Sequence, residues 1–176
     1  IDFLFTYFDG ERVLNTIMAC YILPMFADLL NRADQAEKKE QVLEFYSQLN
    51  YALQRQWLNS GWFPRAYSAL GKSLGKKEIY LEPQVWALLA EKLLTEEQKK
   101  ILLQNLEQKL IKPSQLGMMI SSATSGSLTT RPGEQEKGGI WFAINGPGAV
   151  ALAKQDKQLG YNELKRNSLT WHAEQY

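Results

Sequence analysis

Residues 11–30 read ERVLNTIMACYILPMFADLL. Val13, Ile17, Cys20, Tyr21, Met25, Leu29 and Leu30 fall at spacings of three, four or one, which puts them on one broad face of an α-helix. Glu11 suits the positive end of that helix's dipole. Pro24 has no amide hydrogen and predicts a kink. Pro24 and Asp28 interrupt the apolar run, so the stretch is expected to be a core helix and not a membrane span.

The same alternation of helix and break continues outward. Residues 31–34 form a break with Asp34 as N-cap. The next helix is expected to reach about Leu58, with Val42, Phe45, Tyr46, Leu49, Tyr51, Ala52, Leu53 and Trp57 inward and residues 37–40 as its solvated start. Residues 62–75 carry glycine turn signals and predict a short two-stranded excursion. Glu82-Pro83 opens a helix bearing Val85, Trp86, Leu88 and Leu89. Thr95 and Gln98 have capping-box spacing, and their helix turns Ile101, Leu102, Leu106 and Leu110 inward. Residues 111–138 hold no long periodic segment, although Leu116, Met118, Met119 and Ile120 argue that part of them packs. Thr124 to Thr130 read as a mobile loop whose hydroxyls could meet phosphate, without a Gly-x-x-x-x-Gly-Lys phrase. A buried helix is expected over 139–154, disturbed at Gly146-Pro147-Gly148, then a break at Gly160 and a last helix from Asn162. Upstream, residues 1–7 suit a strand or a loop, and Asp9-Gly10 a turn.

The sum is an all-α fold with a small β-hairpin excursion. Paired helices joined by alternating short and long loops are the pattern of an (α/α)6 barrel. The five or six helices visible would make residues 1–176 a single partial domain, about half of such a barrel, and both ends read as cut. Half a barrel leaves inner helix faces uncovered, which predicts a large exposed apolar patch. No solenoid repeat is evident. Twenty basic residues against 19 acidic ones leave no electrostatic footprint for nucleic acid. The single cysteine, Cys20, suits a buried thiol in a reducing, cytoplasmic compartment, and one histidine, His172, excludes a multi-histidine metal site.

Chemistry concentrates in residues 132–145, PGEQEKGGIWFAIN. Gly138-Gly139 permits close backbone approach, Glu136 can accept hydrogen bonds from adjacent hydroxyls, Lys137 adds a cation, and Trp141 offers a flat apolar face to a sugar ring. The same residues also suit an interhelix loop with solvated charges and core aromatics. Arg65 can hold a phosphate or sugar, or can be paired structurally. Gln84 at its helix start can face a barrel centre.

Four phrases occur in order: Asp9-Gly10-Glu11-Arg12-Val13-Leu14, then Trp62-Phe63-Pro64-Arg65-Ala66-Tyr67, then Glu82-Pro83-Gln84-Val85-Trp86, then Pro132-Gly133-Glu134-Gln135-Glu136-Lys137-Gly138-Gly139. Together they resemble the C-terminal half of the catalytic barrel in the glycoside phosphorylases of glycoside hydrolase family ninety-four. The resemblance implies inverting phosphorolysis of β-linked gluco-oligosaccharides to α-glucose 1-phosphate. Inorganic phosphate is then the co-substrate and no metal or organic cofactor is needed. It further implies a carbohydrate partner, no nucleic acid or membrane partner, and a possible homodimer. Phosphate is itself the nucleophile, so one carboxylic acid suffices, unlike in an inverting hydrolase.

The family's general acid belongs to an Asp-Trp-Asn-Asp-like phrase that this chain lacks; its place is upstream of Ile1, with Asp2 and Asp9 the nearest candidates. Glu136 matches the family glutamate that contacts the acceptor-side sugar, which makes Glu136, Lys137, Trp141, Asn145, Arg65 and Gln84 the substrate-binding candidates. Where cellobiose-active members carry Thr-His after the glycine pair, this chain has Phe142-Ala143 and then Asn145, a departure that fits the 1,2-β-oligoglucan branch. The alternatives are an α/α-barrel hydrolase or lyase fragment, and a non-catalytic helical interaction module. In the last case Glu136, Lys137, Trp141 and Asn145 would not converge.

Overall fold

The computed structural model describes residues 10–123 and 131–175. Asp2, Asp9 and the 124–130 loop singled out above lie outside the described residues. Helices dominate: α1 (Val13–Arg32), α2 (Ala36–Gln54), α3 (Leu81–Leu89), α4 (Glu96–Leu106, continued by a π turn, Glu107–Ile111), α5 (Phe142–Ala153), α6 (Lys157–Arg166) and α7 (Leu169–Gln175). Three two-residue strands, β1 (Glu11–Arg12), β2 (Ala66–Tyr67) and β3 (Ser73–Leu74), form an antiparallel sheet in that order. Glu11 faces Tyr67, and Ala66 faces Leu74. The hairpin was legible in sequence; the third strand was not. Pairing with β2 and the Val13 N–H bond to the Arg65 carbonyl (3.2 Å) hold residues 11–12 extended, so Glu11 sits in a strand and not in the helix's first turn.

Packing runs α2 on α1, α1 on α3, α3 on α5 and α5 on α6. The core follows that path through Val13, Ile17 and Cys20 of α1, Val85 and Leu88 of α3, and Ala151 and Leu152 of α5. By length and composition α1 could cross a membrane; here it packs against α2 and α3 as a layer of the fold. Its partners cover only one side. Met25 and Leu29, expected inward, are 53% and 58% exposed, and with Ile22 and Phe26 they leave an uncovered apolar stripe. Phe45 and Tyr51 of α2 are likewise exposed, contrary to expectation.

Helix ends account for other departures. Asp34 terminates α1 and does not cap α2. It takes φ +54°, and the Gln35 N–H reaches the Leu30 carbonyl (2.9 Å) while the Asp34 N–H reaches that of Asn31, a Schellman end with Asp in the usual glycine position. The Thr95–Gln98 capping box is present as expected. Gly160 does not break a helix; it lies inside α6, which Asp156 caps. A Cβ on Gly160 would come within 2.4 Å of the Ala153 Cβ, so its missing side chain lets α6 sit against α5. Pro147 lies within α5, which continues through it.

Residues 119–121 pass between two neighbours. Tyr80 bridges Ser121 on one side and Met119 bridges Ile140 on the other. The Leu81 N–H bonds the Ile120 carbonyl (2.9 Å), and the Ile120 N–H bonds that of Gly139 (2.8 Å). Two buried carboxamides complete the frame. Gln84 accepts from the Phe63 N–H (3.0 Å) and donates to the carbonyls of Phe63 (2.8 Å) and Tyr80 (3.0 Å). Asn145 accepts from the Met118 N–H (2.7 Å) and donates to the carbonyls of Met118 (2.9 Å) and Trp141 (3.1 Å). Each takes the part of an absent strand partner for one loop residue.

Replacing Asn145 by Leu, or Gln84 by Met, strands a buried N–H and carbonyl; each change should lower the unfolding free energy by about 2–4 kcal/mol in urea denaturation. A loss below about 1 kcal/mol would mean that these loops find other partners. Burial pushes the Cys20 thiol up to about 11. At pH 8 its alkylation by iodoacetamide should therefore be on the order of 100-fold slower in the folded chain than in denaturant. Equal rates would show that the α1–α3 contact opens freely.

Candidate functional site

Arg65 stands at the centre of the site, and the hairpin holds it there. Its N–H bonds the Leu74 carbonyl (2.8 Å), and its carbonyl accepts from Val13. Gly75, at φ +94°, allows this closure: a Cβ there would stand 2.7 Å from the Arg65 nitrogen. The Trp62 indole N–H donates to the Gly75 carbonyl (2.8 Å) and closes the turn from the other side.

The Arg65 guanidinium is buried. Its Nη2 lies 3.2 Å from Glu82 Oε1 and 3.8 Å from Glu136 Oε1, and its carbon lies 4.9 Å from the centroid of the Tyr80 ring. Glu82 occupies the first turn of α3, where the helix dipole favours a carboxylate. Burial pushes the Tyr80 phenol up, against the opposing pull of Arg65, so Tyr80 stays neutral near pH 7. Glu82 is almost wholly enclosed, whereas the Glu136 side chain is 24% exposed. Glu136 is thus the member of the cluster that can still meet a ligand while Arg65 orients it.

The loop presenting Glu136 is closed on itself. Gly133 N–H bonds the Lys137 carbonyl (2.7 Å), Lys137 N–H that of Glu134 (2.8 Å), and Gly139 N–H that of Gln135 (3.2 Å). The Arg131 N–H donates to a Glu134 carboxylate oxygen (3.1 Å), and the Ser121 hydroxyl donates to the Glu136 carbonyl. Gln135 takes φ +44° and Gly138 φ +90°. A Cβ on Gly139 would come 2.7 Å from the Gln135 carbonyl. The close approach that this glycine permits is therefore to the loop's own backbone.

Of the six binding candidates, the structure brings Arg65 and Glu136 together. Lys137 is half-buried in the same loop, and Trp141 is half-buried at the start of α5, packed against the core. Gln84 and Asn145 are 0% exposed and are spent on backbone, which removes them as ligand contacts. The expectation that Glu136, Lys137, Trp141 and Asn145 would converge on one cavity thus fails at Asn145. Gln84 was singled out because a helix start can face a barrel centre, and Asn145 because its phrase fits the resemblance; here the unpaired loop backbone claims both. Glu82 and Tyr80 were missed. The Glu82-Pro83 phrase reads as a helix start, and nothing in its spacing announces a partner in the hairpin. Among the described residues, no group of three or more His, Cys, Asp or Glu side chains is placed to hold a metal ion.

No curated protein sequence matches this chain. Residues 2–155 match the family described as "Glycosyl hydrolase 94 superfamily, catalytic domain", a span that takes in the hairpin, α3, the Glu136 loop and α5. That family carries glycoside phosphorylase or hydrolase-type function, and the chain, with Arg65, Glu82 and Glu136 joined across it, belongs to the glycosyl hydrolase 94 superfamily as catalytic-domain sequence.

Proposed function

We propose that the chain is part of an inverting glycoside phosphorylase that cleaves β-linked gluco-oligosaccharides, foremost β-1,2-linked ones, to α-glucose 1-phosphate. In this reading residues 1–176 supply about half of an (α/α)6 barrel, and the uncovered stripe on α1 meets the remainder. Inorganic phosphate attacks the anomeric carbon as the glycosidic C–O bond breaks. The departing oxygen takes its proton from a carboxylic acid whose place is upstream of Ile1, with Asp2 and Asp9 only the nearest carboxylates in this sequence. The protein works in the cytoplasm, as a homodimer, without metal or organic cofactor.

The observation that carries the reading is the partly exposed Glu136 carboxylate, 3.8 Å from a buried arginine and held in a loop tied by its own backbone. An oriented carboxylate is suited to accept hydrogen bonds from adjacent sugar hydroxyls, and Lys137 and Trp141 flank it in sequence with a cation and a ring face. The Phe142-Ala143 phrase after the glycine pair supports the β-1,2 preference.

Incubating the intact protein with β-1,2-gluco-oligosaccharides should release glucose 1-phosphate only when phosphate is present, with cellobiose a poorer substrate. Glu136→Gln keeps the shape and removes the charge, and should lower kcat/KM roughly 10- to 100-fold with the unfolding midpoint unchanged. Free glucose released without phosphate would convert the reading to a hydrolase, and no turnover of any β-glucan would overturn it.

A further inference from the structure

Glu82 and Glu136 compete for one nitrogen. Arg65 Nη2 lies 3.2 Å from Glu82 Oε1 and 3.8 Å from Glu136 Oε1. The shorter separation is a charge-assisted hydrogen bond, and the longer one is an ion pair still too wide to be one.

The two carboxylates reach the arginine from differently built parts of the fold. Glu82 sits in the first turn of α3. Two residues further along that helix, Gln84 accepts from the Phe63 N–H and donates to the Phe63 carbonyl, which ties α3 to the segment carrying Arg65. Glu82 and Arg65 are therefore joined through charge and through their supporting backbone. Glu136 comes from the 132–139 loop, which is fastened to residues 120 and 121: the Ile120 N–H bonds the Gly139 carbonyl, and the Ser121 hydroxyl bonds the Glu136 carbonyl. Its side chain meets the arginine across the wider gap.

This ranking has a direct consequence for Glu136. The Tyr80 ring, 4.9 Å from the guanidinium carbon, restrains Arg65 on one face. If Glu82 lost its charge, a shift of about 1 Å would bring Arg65 into a full hydrogen bond with Glu136. A carboxylate engaged in that way has fewer lone pairs left for a hydroxyl.

We propose that Glu82 is a positioning residue for the saccharide site: by holding Arg65 it keeps Glu136 oriented yet unclaimed, so that Glu136 can exchange hydrogen bonds with sugar hydroxyls. Glu82 acts through Arg65, its own side chain being 9% exposed. The inference deepens the carbohydrate reading above and rests on it for the identity of the ligand.

Two readouts test it on the intact protein, and one needs no turnover. Glu82→Gln keeps the shape and removes the charge. Carbodiimide-driven amidation, mapped by peptide mass spectrometry, reports how free each carboxylate is. Glu136 should react at least ~3-fold more slowly in Glu82→Gln, with the exposed Glu134 of the same loop unchanged. With β-1,2-gluco-oligosaccharides the variant should raise KM roughly 5- to 20-fold and hold kcat within about 2-fold, because a contact made alike in ground and transition states is weakened. In a Glu136→Gln background the same change should move KM less than about 2-fold. Where Glu82→Gln does not fold, Arg65→Lys carries the test: its single ammonium should side with Glu82, and Glu136 should react faster. Unchanged or faster Glu136 amidation in folded Glu82→Gln would overturn the inference. So would a fall in kcat matching that in kcat/KM, effects that add to those of Glu136→Gln, or amidation not accelerated in Arg65→Lys. Slower amidation in a protein that releases no glucose 1-phosphate would uphold the hold of Glu82 on Glu136 while the proposed reaction fell.

Discussion

Two buried carboxamides hold together what the helices leave apart. Helices satisfy their own backbone, but residues 62–65 and 117–118 pass through the interior with few ladder partners. A buried N–H or carbonyl needs a partner somewhere. Gln84 serves Phe63 and Asn145 serves Met118, each gripping both the amide and the carbonyl of one residue. Phe63 lies two residues before Arg65, and Met118 lies three before Ser121, whose hydroxyl holds the Glu136 carbonyl. The position of the charged cluster thus depends on two neutral side chains, one of which, Gln84, also donates to the carbonyl of Tyr80 beneath the guanidinium. An apolar residue of equal size would fill the space but leave the gripped backbone without partners.

The cluster balances one guanidinium against two carboxylates of unequal burial. Glu82, in the first turn of α3, is stabilised by Arg65 and by the helix dipole together. Glu136 has the weaker hold on Arg65, at 3.8 Å, and keeps contact with solvent. Such a division gives one carboxylate that fixes the arginine and another that remains free to exchange partners. The Tyr80 ring beneath the guanidinium limits how far the arginine can swing.

Much of the fold was legible because it follows helical periodicity and local chemistry. The capping box at Thr95, the helix opening at Glu82-Pro83 and the glycine-marked hairpin depend on residues close in sequence. Departures arose where tertiary contact overrode a local rule. Gly160 looks like a breaker until Ala153 is packed against it, Asp34 looks like a start until the end of α1 claims it, and Met25 and Leu29 look inward until only one side of α1 is covered. In the site, Arg65 and Glu136 could be singled out by residue type and loop context. Their meeting, and the diversion of Gln84 and Asn145 to backbone, depend on long-range packing that no spacing encodes.

The self-closed loop around Glu136 has a thermodynamic corollary. Its bends are set by three backbone hydrogen bonds among residues 133–139 and by a glycine whose missing Cβ the loop itself requires. The entropy of ordering those residues is lost when the chain folds, not when a ligand arrives. A carboxylate offered from such a frame meets its partner with little further rearrangement, so its share of the affinity reflects contact and desolvation more than disorder surrendered. Selectivity at such a carboxylate is then a matter of shape: a ligand whose donors miss the fixed oxygen cannot draw the loop toward itself.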